Sequence, residues 1–197
     1  MKTLLRAGAV VQHTLESRGW SFCFIGGIAN YRWGTPRLTN DLDLTLLTGF
    51  GTEASYVADL LREFESRIPD AATFAAANRV LLLRTPDGFG VDVALGAMPF
   101  EERTIARATD FAFLPGATLR TCSAEDLIVH KAFAARPQDW VDIEGVILKQ
   151  RGALRWRQIR SELVELAALK ETPELSDQLE RIADRVETVI GPFDRSA

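Results

Sequence analysis

An α+β fold follows from three features of the sequence: a strand with period-two alternation, a hairpin with a turn signal, and a long helical second half. "DLDLTLL", Asp41 to Leu47, places Asp41, Asp43 and Thr45 on one strand face and Leu42, Leu44 and Leu46 on the other. "RVLLLRT" and "FGVDVALG" flank "PDG", where Pro86 fixes φ and Gly88 accepts a positive φ. From Ser123 onward the apolar spacing is helical. The expected architecture is a mixed sheet flanked by helices, with a helical C-terminal part.

Taken in order, Leu4, Leu5, Val11 and Leu15 recur at helical spacing and Gly19 offers a stop, which predicts a helix over 3–18. "WSFCFI" reads as a short buried strand ending at Gly26-Gly27. "IANYRW" fits a short helix closed by Gly34, and "TPRLTN" is a loop. After the Asp41–Leu47 strand, Val57, Leu60, Leu61 and Phe64 form one apolar stripe of a helix over 53–66. The "PDG" hairpin follows, with Asp92 inside its second strand between Val91 and Val93. Glu101 and Glu102 after Pro99 favour a helix N-terminus. "FAFL", "PG" and "ATLRT" form a second, short hairpin. "SAED" fits a capping box, with Ser123 as N-cap and Asp126 three residues on. That helix breaks at Arg136-Pro137. A second runs to about Gln150, a third covers 156–170, and Thr172-Pro173 supplies an N-cap and N1 proline for a last helix to about Ile190.

With 197 residues, 47% of them apolar and 25% charged, the chain has the balance of an ordinary soluble globular protein. No apolar run approaches the ~18 residues of a membrane span. "MKTLLRAGAVVQHTLESRGW" is interrupted by Arg6 and continues through Gln12, His13, Glu16 and Arg18 without a cleavage site, so it reads as a mature amphipathic helix. Cys23 and Cys122 read as reduced structural thiols, and a cytoplasmic location is expected. A net charge of −4 argues against a surface built to coat nucleic acid. One local exception is "KQRGALRWRQIR", Lys149 to Arg160, with five basic residues and no acid. It reads either as a solvated helical surface or as a local RNA-binding patch.

Three carboxylates stand in strand contexts: Asp41, Asp43 and Asp92. Aspartate has poor β-propensity, and an unpaired buried carboxylate costs several kcal/mol or neutralises. Convergent carboxylates repel unless they share a cation, and Mg²⁺ answers this, taking carboxylate oxygens while keeping positions for water and phosphate. Two such ions clamp an in-line nucleotidyl transfer. Asp41 and Asp43, on one face, suit bridging both ions. Asp92 suits the ion that holds the acceptor hydroxyl and accepts its proton. Gly26-Gly27, between a strand and a helix, let backbone N–H groups approach a triphosphate.

At these residues the chain resembles the nucleotidyltransferase superfamily related to DNA polymerase beta. The pattern is Ile25-Gly26-Gly27, thirteen intervening residues, Asp41-Leu42-Asp43, then Val91-Asp92-Val93. Within the superfamily, "RLTNDLDL" and "SAEDLIVHKAFAARPQDWVDIEGVIL" look most like the bacterial group that includes abortive-infection toxins. The resemblance spans residues 22–160. It implies a polymerase beta-like catalytic core over 1–115, with a helical subdomain over 116–197 packed on it. It also implies that Asp41, Asp43 and Asp92 are the catalytic metal ligands, that Gly26 and Gly27 cradle phosphates, and that Lys131 contacts them. Arg37 and Thr39 match polar positions leading into the Asp pair and count with the nucleotide-binding residues. Arg136, Asp139 and Asp142 match polar positions after the lysine-bearing helix.

Plainer roles compete for several of these. Lys131, beside Phe133 on an apolar helix, is also read as a snorkelling surface lysine. Arg136 and Asp139 suit a pair at a helix start, Asp142 suits a solvent-facing position, His130 a structural one, and Trp140 and Trp156 suit packing.

The expected activity is Mg²⁺-dependent transfer of a nucleoside monophosphate from an NTP to an acceptor, with release of pyrophosphate. The favoured acceptor is tRNA or another RNA, in a toxin setting with an antitoxin partner. The alternatives are an aminoglycoside-like small molecule as acceptor, and a non-catalytic nucleotide-binding module. No membrane association is expected.

Overall fold

A computed structural model describes residues 1–196. The elements run α1 (Lys2–Glu16), β1 (Phe22–Phe24), α2 (Gly26–Trp33), β2 (Asp41–Leu47), α3 (Glu53–Glu63), β3 (Glu65–Ser66), α4 (Ala71–Asn78), β4 (Val80–Arg84), β5 (Gly90–Gly96), α5 (Pro99–Arg107), β6 (Thr109–Leu114), β7 (Ala117–Thr121), α6 (Ala124–Ala134), α7 (Pro137–Gln150), α8 (Trp156–Lys170) and α9 (Glu174–Ile190), with a single 3₁₀ turn at Arg151–Ala153. The chain divides into two compact units, one made of Met1–Ile28 with Leu38–Cys122, the other of Ala29–Arg37 with the residues from Ser123 onward.

The first unit is a seven-stranded mixed sheet in the order β3-β4-β5-β2-β1-β7-β6. Its centre is the parallel pair β2/β5, in register over seven residues from Asp41↔Gly90 to Leu47↔Gly96. β1 runs antiparallel to β2 and parallel to β7, while β4/β5 and β6/β7 are antiparallel hairpins. The alternation read in "DLDLTLL" is what orients β2. Leu42, Leu44 and Leu46 are fully buried and join Val91, Val93, Leu95, Leu81 and Leu83 in one core with Leu4, Leu5, Val11 and Leu15 of α1. Each such side chain contributes ~1.5–3 kcal/mol by leaving water, so a one-residue slip of β2 is heavily disfavoured. The same alternation leaves Asp41, Asp43 and Asp92 on the opposite face.

Several boundaries differ from the sequence expectation, each for a local reason. α2 starts at Gly26 rather than Ile28, because Gly26 takes φ +53° and Gly27 is already helical. α3 ends at Glu63. Phe64 turns extended (φ −127°, ψ 144°) although the helical stripe runs on through it, and Glu65–Ser66 pair with Arg84 and Leu83 of β4. Strand pairing there overrides the helical pattern. α9 begins at Glu174, with Pro173 rather than Thr172 as its N-cap.

The second unit is mainly helical. α6 packs on α7 and α8, and α9 packs on both α7 and α8. Ser123 caps α6 as its sequence promised, its Oγ accepting from the Asp126 N–H at 3.1 Å. Trp156 is fully buried and lies 6.1 Å from the Phe193 ring. The basic stretch is largely spent within this unit. Lys149 Nζ donates to Arg32 O at 2.9 Å and Gly34 O at 3.2 Å, Arg155 pairs with Glu125 at 3.2 Å, and Arg160 pairs with Glu180 at 2.7 Å. Cys23 and Cys122 are not joined in a disulfide, and both are buried. Among the described residues no helix is long and apolar enough to cross a membrane.

Candidate active site

In the first unit the parallel register sets Asp43 directly across from Asp92, with Asp41 one same-face position away opposite Gly90. The parallel pair brings together acids nearly fifty residues apart in sequence, joined by the intervening crossover. Asp41 is the most exposed of the three, with 53% of its side chain open to solvent, against 38% for Asp92. Burial, the largest effect, pushes the Asp92 carboxyl above the usual carboxylate range. The Arg67 guanidinium opposes this, and the neighbouring Asp43 and Asp41 charges add to it.

Gly26 is held to glycine by Asp43, and Gly27 by Thr39. The Gly27 N–H donates to Asp43 Oδ2 at 3.3 Å, and the Ile25 N–H donates to the Asp43 carbonyl at 2.9 Å. A Cβ at Gly26 would collide with the Asp43 carboxylate, in addition to the strain of a positive φ. A Cβ at Gly27 would lie 2.7 Å from Thr39 Oγ1. The start of α2 therefore closes on the acid pair with bare backbone. Thr39 stands against it, its hydroxyl 3.3 Å from the Asp41 carbonyl.

The donor set suits a hard divalent cation: carboxylate oxygens only, on one sheet face, with side-chain-free backbone at Gly26 and Gly90 leaving room. Among the described residues, however, no group of three or more His, Cys, Asp or Glu side chains is gathered closely enough to hold a metal ion as it stands. Arg67, which the sequence did not single out, stands among these acids. Its Nη2 donates to Asp92 Oδ1, and its Nη1 lies 4.0 Å from Asp41 Oδ1. Nothing in "FESRIPD" marks it locally. Only the pairing of β3 with β4 brings it to the acids.

Arg37 and Lys131 meet in the second unit, around Asp142. Arg37 makes a two-pronged contact, Nε to Oδ1 at 3.0 Å and Nη2 to Oδ2 at 3.1 Å. Lys131 Nζ lies 2.6 Å from Asp142 Oδ2 and 3.1 Å from Asp139 Oδ1. Gln138 Nε2 completes the shell at 3.0 Å from Asp142 Oδ1. Two sequence expectations are corrected here. Lys131 is no snorkelling surface lysine, because only 4% of its side chain is exposed; Asp142 does not face solvent, because 3% of its side chain is. Burying three charges requires each to be paired, and that pairing is what the i+8 and i+11 spacing from Lys131 supplies. Burial pushes the Asp142 carboxyl up, but hydrogen bonds from Arg37, Lys131 and Gln138 outweigh it and hold the group below the usual range. Arg136 and Asp139 do pair at a helix start: Asp139 accepts from Arg136 Nε at 2.8 Å and from the Arg136 N–H at 3.3 Å, with Pro137 opening α7.

Comparison with known proteins places this architecture. A protein-family model described as "Nucleotidyl transferase AbiEii toxin, Type IV TA system" matches residues 15–187. No curated protein matches the sequence significantly. Among solved structures, an antigenic nucleotidyltransferase-like protein from Paracoccidioides brasiliensis is similar with a TM-score of 0.51 and 19% identity, over 89% of this chain and 92% of that one. The solution structure of the antibiotic-resistance factor ANT(2'')-Ia is similar with a TM-score of 0.59 and 15% identity, over 88% of this chain and 96% of that one. At these identities the likeness is one of fold.

Proposed function

The chain belongs to the AbiEii nucleotidyl transferase toxin family, and from that premise we propose that it moves a nucleoside monophosphate from an NTP to RNA, with tRNA the first candidate. The single observation that carries the chemistry is the β2/β5 register, which sets Asp43 across from Asp92 with Asp41 on the same face. Asp41, Asp43 and Asp92 would hold Mg²⁺, as a pair of ions. When bound, the metal supplies charge neutralisation and Lewis-acid activation at the transferred phosphoryl group. Asp92, set across from Asp43, would accept the proton of the attacking hydroxyl. Gly26 and Gly27 would seat the phosphates against side-chain-free backbone, with Thr39 beside them. The family resemblance gives Arg37 and Lys131 as nucleotide contacts; in the second unit both are engaged with Asp142, and Lys131 is buried. The catalytic core would be the sheet unit, residues 1–28 with 38–122, rather than 1–115, because β7 belongs to the sheet.

The toxin description of the family supports an antitoxin partner, while the RNA acceptor rests on the 149–160 basic stretch. The basic stretch lends less support than its composition suggests, since Lys149, Arg155 and Arg160 are engaged internally and Arg151 and Arg157 remain exposed. This favours keeping a second reading, a cationic small-molecule acceptor. The similarity of fold to ANT(2'')-Ia and the net charge of −4 are both compatible with it.

Incubation with each labelled NTP, Mg²⁺ and either total RNA, protein extract or aminoglycosides decides between them. Label is expected in RNA and is expected to vanish with Asp43→Asn. Label on the aminoglycoside alone selects the second reading, and no label in any fraction sinks nucleotidyl transfer. Induced expression tests the toxin role: wild type should arrest growth and Asp41→Ala should not. Equal growth of the two strains removes that role and leaves the transfer chemistry standing.

A further inference from the structure

Arg67 stands one residue beyond β3, where its N–H donates to the Leu82 carbonyl at 3.0 Å. Ser66 fixes the chain there, its Oγ donating to Ile68 O at 2.7 Å and accepting from the Ile68 N–H at 3.2 Å. Leu82 is in register with Asp92, and Asp92 with Asp43. Arg67 thus extends, from just beyond β3, the row that Leu82, Asp92 and Asp43 form across β4, β5 and β2 on one face of the sheet. The arginine side chain is long enough to lie over Leu82 and bring its guanidinium to the acids. It hydrogen-bonds Asp92 and comes within 4.0 Å of Asp41. Gly90 makes the room, because a Cβ there would lie 2.9 Å from Arg67 Nη1. Only 24% of the Arg67 side chain is exposed, and its Nε is buried without a hydrogen-bond partner. This is a seated side chain rather than one lying free on the surface.

A guanidinium between Asp41 and Asp92 and a divalent cation between the same carboxylates exclude one another. The Asp92 oxygen cannot serve both, and the two positive charges repel at that distance. We propose that Arg67 is the resident counter-ion of the acid site: it neutralises Asp41 and Asp92 in the metal-free enzyme, and metal loading requires its guanidinium to leave. This rests on the reading of the three aspartates as metal ligands. Arg67 thereby sets the apparent metal affinity, since the binding-competent conformer is only the fraction with the arginine displaced. It also explains how two acids can be held on one sheet face before any cation arrives.

Calorimetric titration of the full chain with Mn²⁺ alone tests this, using wild type, Arg67→Gln, Arg67→Lys, Arg84→Gln and Asp43→Asn. Arg84 is exposed on β4, in register with Gly90, and its replacement removes the same charge from the neighbourhood. Arg67→Gln is expected to bind Mn²⁺ about tenfold more tightly than wild type, equivalent to ~1.4 kcal/mol. Arg67→Lys should fall between the two, and Arg84→Gln should match wild type. Thermal melts without nucleotide give a second readout: Arg67→Gln should melt lower than wild type in chelator and gain more from Mn²⁺. Arg67→Lys carries the test if Arg67→Gln does not fold. Wild type that binds Mn²⁺ through Asp43, with Arg67 variants no tighter, overturns the proposal and leaves the metal ligands standing. Equal tightening by Arg84→Gln also overturns it, by assigning the effect to net charge. If neither wild type nor Arg67→Gln shows Mn²⁺ heat that depends on Asp43, the reading of the aspartates falls and this inference with it.

Discussion

Gly26 and Lys131 carry opposite kinds of constraint. At Gly26 the backbone must adopt φ +53°, and the space a Cβ needs is filled by the Asp43 carboxylate. Gly26→Ala is expected to lose about 1–2 kcal/mol from the αL conformation alone. It should also displace Asp43, so transfer activity should fall further than stability does; urea unfolding and the NTP assay measured side by side check this. At Lys131 the constraint is charge. Lys131→Ala leaves Asp139 and Asp142 buried around a missing cation and should cost about 3–5 kcal/mol. Lys131→Met with Asp139→Asn should recover part of that loss in urea unfolding, because fewer charges are then left unpaired. If Lys131→Ala unfolds at the same urea concentration as wild type, the buried network is not structural.

At the scale of elements, β2 is two sequences interleaved. Its odd positions present acids and its even positions fill the core, and both depend on the register with β5. Leu44→Ala is therefore expected to cost about 2–5 kcal/mol through the cavity it opens. Because Leu44 lies next to Asp43 along the strand, metal affinity should weaken as well. Thermal unfolding and Mn²⁺ titration of the same protein test both halves. α6 depends on its cap: Ser123→Ala removes the Oγ acceptor of the Asp126 N–H and should cost about 1 kcal/mol, visible as a lower melting temperature.

For the whole molecule, the pH response follows from where carboxyl groups are stabilised. Asp142 sits below its ordinary range in the folded protein: burial raises it, but Arg37, Lys131 and Gln138 together lower it more. Glu125, beside Arg155, and Glu180, beside Arg160, are lowered too. A carboxyl lowered by folding contributes its full stability above its unfolded value of about 4. That contribution is lost as pH falls through the folded value. Urea unfolding from pH 7 down to pH 3 should therefore show falling stability below about pH 4–5. Asp142→Asn should be less stable at pH 7 and show a shallower acid decline; an unchanged slope would remove Asp142 as a cause.

How far the sequence speaks for itself depends on the range of the interaction concerned. Alternation in "DLDLTLL", the "PDG" turn and the Ser123 cap are local rules, obeyed within a few residues, and they appear in the structure where the sequence puts them. The acids and glycines of the candidate site were legible for the same reason, as a pattern of spacing along two strands and a turn. Other features depend on residues distant in sequence. β3 has only two polar residues and no alternation, so its existence is decided by the free edge of β4. α4, "AATFAAAN", has apolar residues on every side and no helical stripe to read. The burial of Lys131 depended on Arg37, Asp139 and Asp142 arriving around it, and the seat of Arg67 depended on Gly90 and Leu82. By itself the sequence determined the fold class, because side-chain period and turn chemistry are short-range properties, and its motif resemblance pointed to the family and the candidate ligands. The tertiary structure alone decided which cation faces those ligands, because a counter-ion is chosen by proximity in space, and Arg67 reaches Asp92 only through strand pairing.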